Sequence, residues 1–332
     1  MSNQNQTKQM AAPSRRGRGC LLWLGRTVLL FLGLVAAGAI YETAAEAYDS
    51  RAYPPPGKLV DVGGYRLHIN CTGTGSPTVV IDAGLGDWST MWSWVQPEVA
   101  KTTRVCTYDR AGSGWSDAGP LPRTAQVYAQ ELHTLLHNAE IAGPYVIVGH
   151  SMGGLPAVMF AHDYPTEVAG LVLIESMSPP QFSHSTTNAA TLPAAASPAL
   201  TPLPILGRLG IVRLLARPLG LIPALPKDVQ PAYLARLVRP LNMQAVTDEM
   251  QGMPASASQV EAVTTIGSMP LIVLTSRSDH NPPGWQTWQA ELPKLSSNSQ
   301  QLFAEKGGHN IELEEPDAAV SAIVKMVEQV RQ

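Results

Sequence analysis

At 332 residues with 45% hydrophobic, 15% charged and 6% aromatic side chains, the chain must bury a core, and its composition excludes a disordered polymer, a coiled coil and a collagen-like repeat. Lys and Arg number 23 against 26 Asp and Glu, a net charge of −3, so no global basic field points to nucleic acid as a partner. The asymmetry is local: Lys8, Arg15, Arg16, Arg18 and Arg26 lie in residues 1–41 without one acidic side chain, and all the acidic residues follow.

Residues 1–19 read as a basic cytoplasmic tail, and residues 20–41, apolar save for Arg26 and Thr27, as a transmembrane anchor or signal sequence. At 1.5 Å per residue such a run crosses a hydrocarbon core of about 30 Å. Arg26 can snorkel to the headgroups, and the basic cluster before it puts the N-terminus in the cytoplasm. The expected location is therefore a bacterial-type plasma membrane, single-pass, with the folded domain outside the cytoplasm. The alternative is secretion after cleavage at Ala37-Gly38-Ala39. Residues 42–58, with Pro54-Pro55-Pro56-Gly57, read as a linker stiffened by its prolines. No internal repeat is visible, and low complexity is confined to the Ala/Pro/Ser stretch at 187–204.

From residue 59 the chain alternates between short β-rich apolar runs and segments of helical spacing. Eight strands are expected, at 59–62, 65–71, 78–82, 104–108, 145–148, 170–174, 270–274 and 301–304. Helical patterns fall at 91–100, 124–140, 152–163, 285–291 and 316–330. This is the rhythm of an α/β protein with a mostly parallel sheet covered on both faces. The first two strands are separated by Gly63-Gly64 and should form a hairpin. Residues 59–175 and 270–332 then make the core, and residues 176–269, without a convincing strand, an inserted helical lid with helices near 205–217, 229–238, 242–251 and 256–266. The lid's apolar stripe (Ile205-Leu206, Leu209, Ile211-Val212, Leu214-Leu215 and 219–225) is expected to pack on the sheet domain, or else to face the cleft or the bilayer.

One strand ends in chemistry. Tyr145-Val146-Ile147-Val148 runs into Gly149-His150-Ser151-Met152-Gly153, after which a helix begins. A Gly-x-Ser-x-Gly pattern in strand–turn–helix context presents the serine hydroxyl at the carboxyl end of a sheet, and the glycines remove side chains that would collide in so sharp a turn. A serine hydroxyl needs a base, and the base an orienting acid. His309 stands in the loop after the last strand and Asp279 after the seventh, giving the chain order Ser151, Asp279, His309.

From residue 59 to 330 the sequence resembles a lid-bearing α/β-hydrolase of the serine esterase, prolyl aminopeptidase and haloperoxidase branch. The motifs are Asp82-Ala83-Gly84-Leu85-Gly86, Tyr108-Asp109-Arg110-Ala111-Gly112-Ser113-Gly114-Trp115-Ser116, the glycine-flanked serine, Asp279 with Pro282, and Gly308-His309 with Glu314-Glu315-Pro316. The resemblance implies Ser151 as nucleophile, His309 as general base and acid, Asp279 as orienting acid, and an oxyanion hole from the backbone N–H groups of Leu85 and Met152. Glu175, at the end of the sixth strand, is the alternative acid. Where the family often has His-Gly before the second oxyanion residue, this chain has Ala83-Gly84.

Asp109 and Arg110 read as a loop-stabilising pair, and His150 as packing beneath the cleft. His133 and His137, four apart on one helix, read as a solvated face rather than a metal site, since no third ligand accompanies them. No cofactor and no metal are implied. In such a sheet the strands of Cys71 and Cys106 are neighbours, and outside the cytoplasm a disulfide between them would persist. The other reading is two buried thiols on different faces. Cys20 lies at the membrane entry.

The resulting expectation is a membrane-tethered or exported serine hydrolase acting on small-molecule carboxylic esters with an apolar acyl or alcohol part, with the membrane as its other partner. Prolyl-type aminopeptidase and cofactor-free haloperoxidase chemistry are the enzymatic alternatives. Epoxide hydrolases and haloalkane dehalogenases place an Asp where Ser151 stands. A ligand-binding pseudohydrolase is the non-enzymatic alternative.

Overall fold

The computed structural model describes residues 15–178, 202–278 and 283–332, with side chains from Leu22 onward. Eight strands, β1 (Lys58–Asp61), β2 (Arg66–Thr72), β3 (Thr78–Asp82), β4 (Val105–Tyr108), β5 (Tyr145–His150), β6 (Val168–Ile174), β7 (Leu271–Ser276) and β8 (Ser299–Ala304), form one sheet. Their order is β1-β2-β4-β3-β5-β6-β7-β8. Only the β1–β2 and β2–β4 pairings are antiparallel. The Gly63-Gly64 turn closes the first hairpin, with both glycines at positive φ and both amides donating to Asp61 Oδ1. The chain runs outward from β3 to β4 and then returns across β3 to β5. That reversal opens a crevice at the carboxyl ends of β3 and β5, the place where doubly wound sheets bind ligands.

The central strands read as unbroken apolar runs because both of their faces are buried. One face meets α3 (Ala125–Asn138) and α4 (Gly154–Asp163), where Val80, Ile147, Leu171 and Val273 pack with Leu132, Leu135 and Phe160. The other meets the segment around α2 (Gln96–Val99) and the closing helix, where Val79, Val146, Val172 and Ile272 pack with Trp88, Trp92, Ile323 and Met326. Each such side chain contributes about 1.5–3 kcal/mol when fully buried.

Three expectations need correction. Residues 42–52 are not part of a spacer: helix α1 runs unbroken from Arg15 to Ala52. Its polar end has partners, for Arg213 bonds Glu42 at 2.7 and 2.8 Å and Asp49 at 2.7 Å, and Arg239 reaches Glu46 at 3.1 Å. A hydrophilic run after an apolar one looks like a tether until those partners, more than 160 residues away, are known.

Between β6 and β7 the described residues form only helices: α5 (Leu203–Arg208), α6 (Ile211–Ala216), α7 (Gln230–Leu237) and α8 (Pro240–Glu261). The break expected near 252–255 does not occur, and α8 passes through Pro254. Gly252 lies so close to the Arg123 carbonyl that a Cβ would collide there, and Ser256 Oγ donates to the Gly252 carbonyl and accepts from the Ala125 amide. Docking on α3 thus overrides a proline that would break an isolated helix. The apolar stripe is the third correction, in part: Leu225 is buried and Leu206, Leu209, Ile211, Val212 and Ile222 are half-buried, but Ile205, Leu214, Leu215, Leu219 and Leu221 are exposed, as the cleft-or-bilayer alternative allows.

After β7 come α9 (Trp285–Gln289), α10 (Ile311–Glu314) and α11 (Pro316–Gln329).

Candidate active site

Ser151 follows β5 directly and its φ is +51°. This left-handed conformation is rarely adopted by a residue with a Cβ, and it persists here because the surroundings determine it. A Cβ on Gly149 would lie 2.6 Å from the Gly153 carbonyl and Gly154 Cα, one on Gly153 would strike the Ala83 and Asp82 carbonyls, and one on Gly154 would strike Ser176 Oγ. The turn is therefore wedged between β3 and β6. Strain of this kind is found where a fold must aim a side chain.

The hydroxyl is aimed at His309: Ser151 Oγ and His309 Nε2 are 2.9 Å apart, across 158 positions of chain. His309 stands in a loop between β8 and α10 whose shape is fixed by carboxylates. Glu315 Oε2 accepts the amides of Lys306 and Gly307 at 2.7 and 2.8 Å, Glu314 Oε2 accepts that of Gly308, and Ser276 Oγ donates to the Gly307 carbonyl. The far nitrogen, His309 Nδ1, is 3.4 Å from Glu175 Oε2. Glu175 is fully buried, sits at φ +43°, and accepts the Ser276 amide on its other oxygen at 2.6 Å. Serine, histidine and the glutamate are thus brought together. Asp279 lies outside the described residues.

Met152, buried, directly follows Ser151 in the turn, and Leu85, half-buried, stands in the loop after β3. The Leu85 loop is held by a guanidinium. Arg110 is buried and donates to the carbonyls of Ala83 at 2.6 Å and Gly84 at 2.5 Å, to Asp82, and through Nε to Glu249 Oε1 at 2.8 Å. Glu249 on α8 also accepts the Gly86 amide at 2.8 Å. Asp109 is not the partner of Arg110. It turns the other way, to His68 Nδ1 at 2.9 Å and to the amides of Ser89 and Trp115 at 2.9 Å. Adjacent residues leaving a strand point to opposite faces, so each pins a different loop.

The region matching the model of the alpha/beta hydrolase family spans residues 73–323. The chain belongs to the alpha/beta hydrolase family. A relative aligned along most of its length is the uncharacterized protein YqjL of Bacillus subtilis, 24% identical over 271 residues, covering 80% of this chain and 90% of that protein. The probable transporter efuK of Hormonema carpetanum is 36% identical over 126 residues, which is 36% of this chain and 18% of that protein. An uncharacterized protein of Schizosaccharomyces pombe, C23C11.06c, is 30% identical over 162 residues, 40% of this chain and 30% of that protein. This chain therefore spans less than a third of the length of efuK and C23C11.06c. Among solved structures, an esterase from Thermogutta terrifontis superposes with a TM-score of 0.61 at 22% identity, over 82% of this chain and 97% of that one. The enol-lactonase of Burkholderia xenovorans LB400 gives 0.60 at 19% identity, over 82% and 100%. At these identities the likeness is one of fold.

A second polar cluster lies directly behind His309. His150 Nε2 donates to the His309 carbonyl at 2.9 Å, and Glu312 Oε2 is 3.5 Å from the same nitrogen. Asp87 completes a trio whose ligating atoms all lie within 4.8 Å of one another, the one group among the described residues with the composition of a metal site. Burial pushes Asp87 up to about 7 and Glu312 well above the usual carboxyl range, and holds His150 down at about 3. Burial thus favours the neutral form of His150 and of Glu312, and raises the pH at which Asp87 ionises. His133, by contrast, is committed elsewhere: it stacks on Tyr164 at 3.9 Å and meets Glu167 at 3.0 Å.

Cys71 and Cys106 stand directly opposite each other in the β2–β4 pairing and are joined by a disulfide. Sequence reasoning missed Glu249 and Glu312. Glu249 carries no local signal, since its partner is 139 positions away. Glu312 had one, a carboxylate three residues beyond the histidine on the inward side of α10, where an apolar residue is the ordinary choice.

Proposed function

We propose that this protein is a membrane-anchored serine hydrolase that cleaves carboxylic esters with an apolar acyl or alcohol part. The observation that carries the proposal is the 2.9 Å approach of His309 Nε2 to the hydroxyl of a serine held at positive φ at the end of β5. That arrangement is the activated nucleophile of acyl transfer. The Ser151 proton passes to His309 Nε2 as Oγ bonds the ester carbonyl carbon. The oxyanion is met by the Met152 and Leu85 amides, and collapse expels the alcohol, which takes its proton from His309. Water then attacks the acyl-enzyme, giving its proton to His309, and the acid leaves with Ser151 restored.

The acid that orients His309 is taken to be Glu175, on the strength of its 3.4 Å approach to Nδ1. Asp279 is the alternative, on the strength of chain order. Burial of Glu175, with the Ser276 amide donating to its other oxygen, favours it in that role, because the carboxylate is fixed by the fold. The prolyl aminopeptidase reading needs free carboxylates in the insertion for the substrate's amine. Of the four acids there, Asp228, Asp248, Glu249 and Glu261, Glu249 is consumed by Arg110, and Asp248 accepts from Gln244 at 2.8 Å; so small a supply weighs toward esters.

Retention of the N-terminal helix is supported by its contacts. Within Leu22–Ala52, α1 contains a window long and apolar enough to cross a membrane, and Gly38, inside the cleavage tripeptide, packs on the Leu209 backbone. A leader destined for removal has no reason to be built into the fold.

The test is labelling of the full-length protein by a fluorophosphonate, with turnover of nitrophenyl esters of increasing acyl length beside a proline arylamide. Wild type should label and cleave the esters, and Ser151→Ala should do neither. Labelling that survives in Ser151→Ala, or a marked preference for the arylamide, overturns the reading.

A further inference from the structure

We infer that the helical insertion between β6 and β7 carries a membrane-inserting surface, centred on α5, α6 and the loop through Leu221, that seats in the outer leaflet of a phospholipid bilayer beside α1. The inference rests on the anchoring role proposed above and goes beyond it, since a tethered domain need touch no lipid.

Beyond α1, the large apolar side chains exposed among the described residues are Trp94, Leu121, Ile205, Leu214, Leu215, Leu219, Leu221 and Phe303. Five of these eight fall within seventeen positions of one another, on a surface element whose apolar residues should have packed inward had the domain been bathed in water on all sides. Trp94 adjoins them, its indole N–H donating to the Ala224 carbonyl at 2.8 Å. Exposed apolar side chains gathered in one segment in this way mark a protein or lipid contact.

The position of the patch selects lipid. The backbone of the insertion touches α1 at Gly38: a Cβ there would lie 2.6 Å from the Leu209 carbonyl oxygen. Next to it Gly210, at φ +71°, lies against the Tyr41 ring. Counting from Cys20 at 1.5 Å per residue, Gly38 is about 27 Å along the apolar stretch, short of the roughly 30 Å of a hydrocarbon core. The loop between α5 and α6 therefore meets the helix at the level of the acyl chains, not above the headgroups. Tyr41 stands where aromatic residues collect at a membrane boundary. Arg213 draws Glu42 and Asp49 into ion pairs, so the first acids after the apolar stretch are neutralised at the contact. From residue 203 to 226 the insertion has three arginines, Arg208, Arg213 and Arg217, and no acidic residue. Arg208 and Arg217 are exposed. An apolar face edged by cations and free of anions suits a phosphate-bearing surface.

The experiment uses the full chain reconstituted into phosphatidylcholine vesicles containing phosphatidylglycerol. With Cys20→Ser in the background and Cys71 and Cys106 bonded, a single added cysteine takes an environment-sensitive fluorophore. Labels are placed in turn at Leu219→Cys, Leu214→Cys, Leu30→Cys and Lys325→Cys, and quenched by lipids bearing a nitroxide near the top or near the end of the acyl chain. Seating of an apolar face about 5–10 Å into the headgroup and acyl boundary predicts blue-shifted emission at 219 and 214, quenched more by the shallow nitroxide, with Lys325 unaffected. Labels at 219 and 214 that both stay water-like while Leu30 is quenched by the deep nitroxide would overturn the inference and leave the anchor standing. A Leu30 label that stays water-like would overturn both.

Discussion

Glu175→Gln decides which carboxylate serves His309, and its effect can be worked from the geometry. The substitution keeps the volume and an oxygen for the Ser276 amide, but removes the charge 3.4 Å from Nδ1. At an effective dielectric of 20, a carboxylate and the imidazolium formed in the transition state attract by about 5 kcal/mol at that distance. The imidazole is 41% exposed, and solvent screening reduces this by roughly half. What remains corresponds to about a hundredfold in kcat. If the amide also presents its N–H to Nδ1 and stabilises the wrong tautomer, the loss approaches 10⁴. Glu175→Gln should therefore lower kcat on a nitrophenyl ester by about 10²–10⁴ with the unfolding midpoint in urea little changed, and Asp279→Asn should lower it by less than about tenfold. The assay is initial rate against substrate concentration at pH 8 for both variants. An Asp279→Asn loss exceeding that of Glu175→Gln refutes the assignment.

Arg110→Met should destabilise by about 3–5 kcal/mol in urea titration, because it strands the buried carboxylates of Asp82 and Glu249. It should also slow turnover, since the Ala83-Gly84 carbonyls lose their donor. Asp87 titrates near 7 in the folded protein against an ordinary value of 3.8. Its proton is bound more tightly in the folded chain than in the unfolded one, so its contribution is fully present below about pH 4 and is lost as pH rises to about 7. Asp87→Asn should flatten that part of the stability–pH curve measured by thermal unfolding, and an unchanged slope would dismiss the burial effect. Denatured without reductant, the protein should expose one reactive thiol, Cys20, and after reduction all three cysteines. Three reactive thiols before reduction would exclude the Cys71–Cys106 bond.

Much of this architecture was legible because its signals are short-range. β3, β5, β6 and β7 announce themselves as apolar runs, with Asp82, Gly149, Gly170 and Pro270 at or near one end of each, and Gly149 and Gly153 mark a turn too tight for a Cβ. Illegible features depend on distant partners. Glu175 directly follows β6, Asp279 comes three positions after β7 in the sequence, and β6 and β7 pair in register with Ile174 beside Leu274. Chain order cannot say which of two acids that follow neighbouring strands serves His309. Residues 42–52 look like a spacer for a related reason. Helix propensity after an apolar segment is weak evidence, and Arg213 and Arg239 arrive only when the insertion folds back. The exposed leucines of the insertion defeated the rule that apolar residues go inward, which presumes water as the only solvent.

The continuity of α1 has a mechanical consequence. Between Ala39 and Ala52 the helix contains neither glycine nor proline, the usual sites of a kink, and its last turns are clamped to the body of the protein by Arg213 and Arg239. Such a post has no swivel. Where the apolar stretch spans a bilayer, as proposed above, its lean and the attitude of the sheet become a single variable, and a helix answers a change in bilayer thickness by leaning. The direction in which Ser151 faces would then be set by the lipid composition of its surroundings.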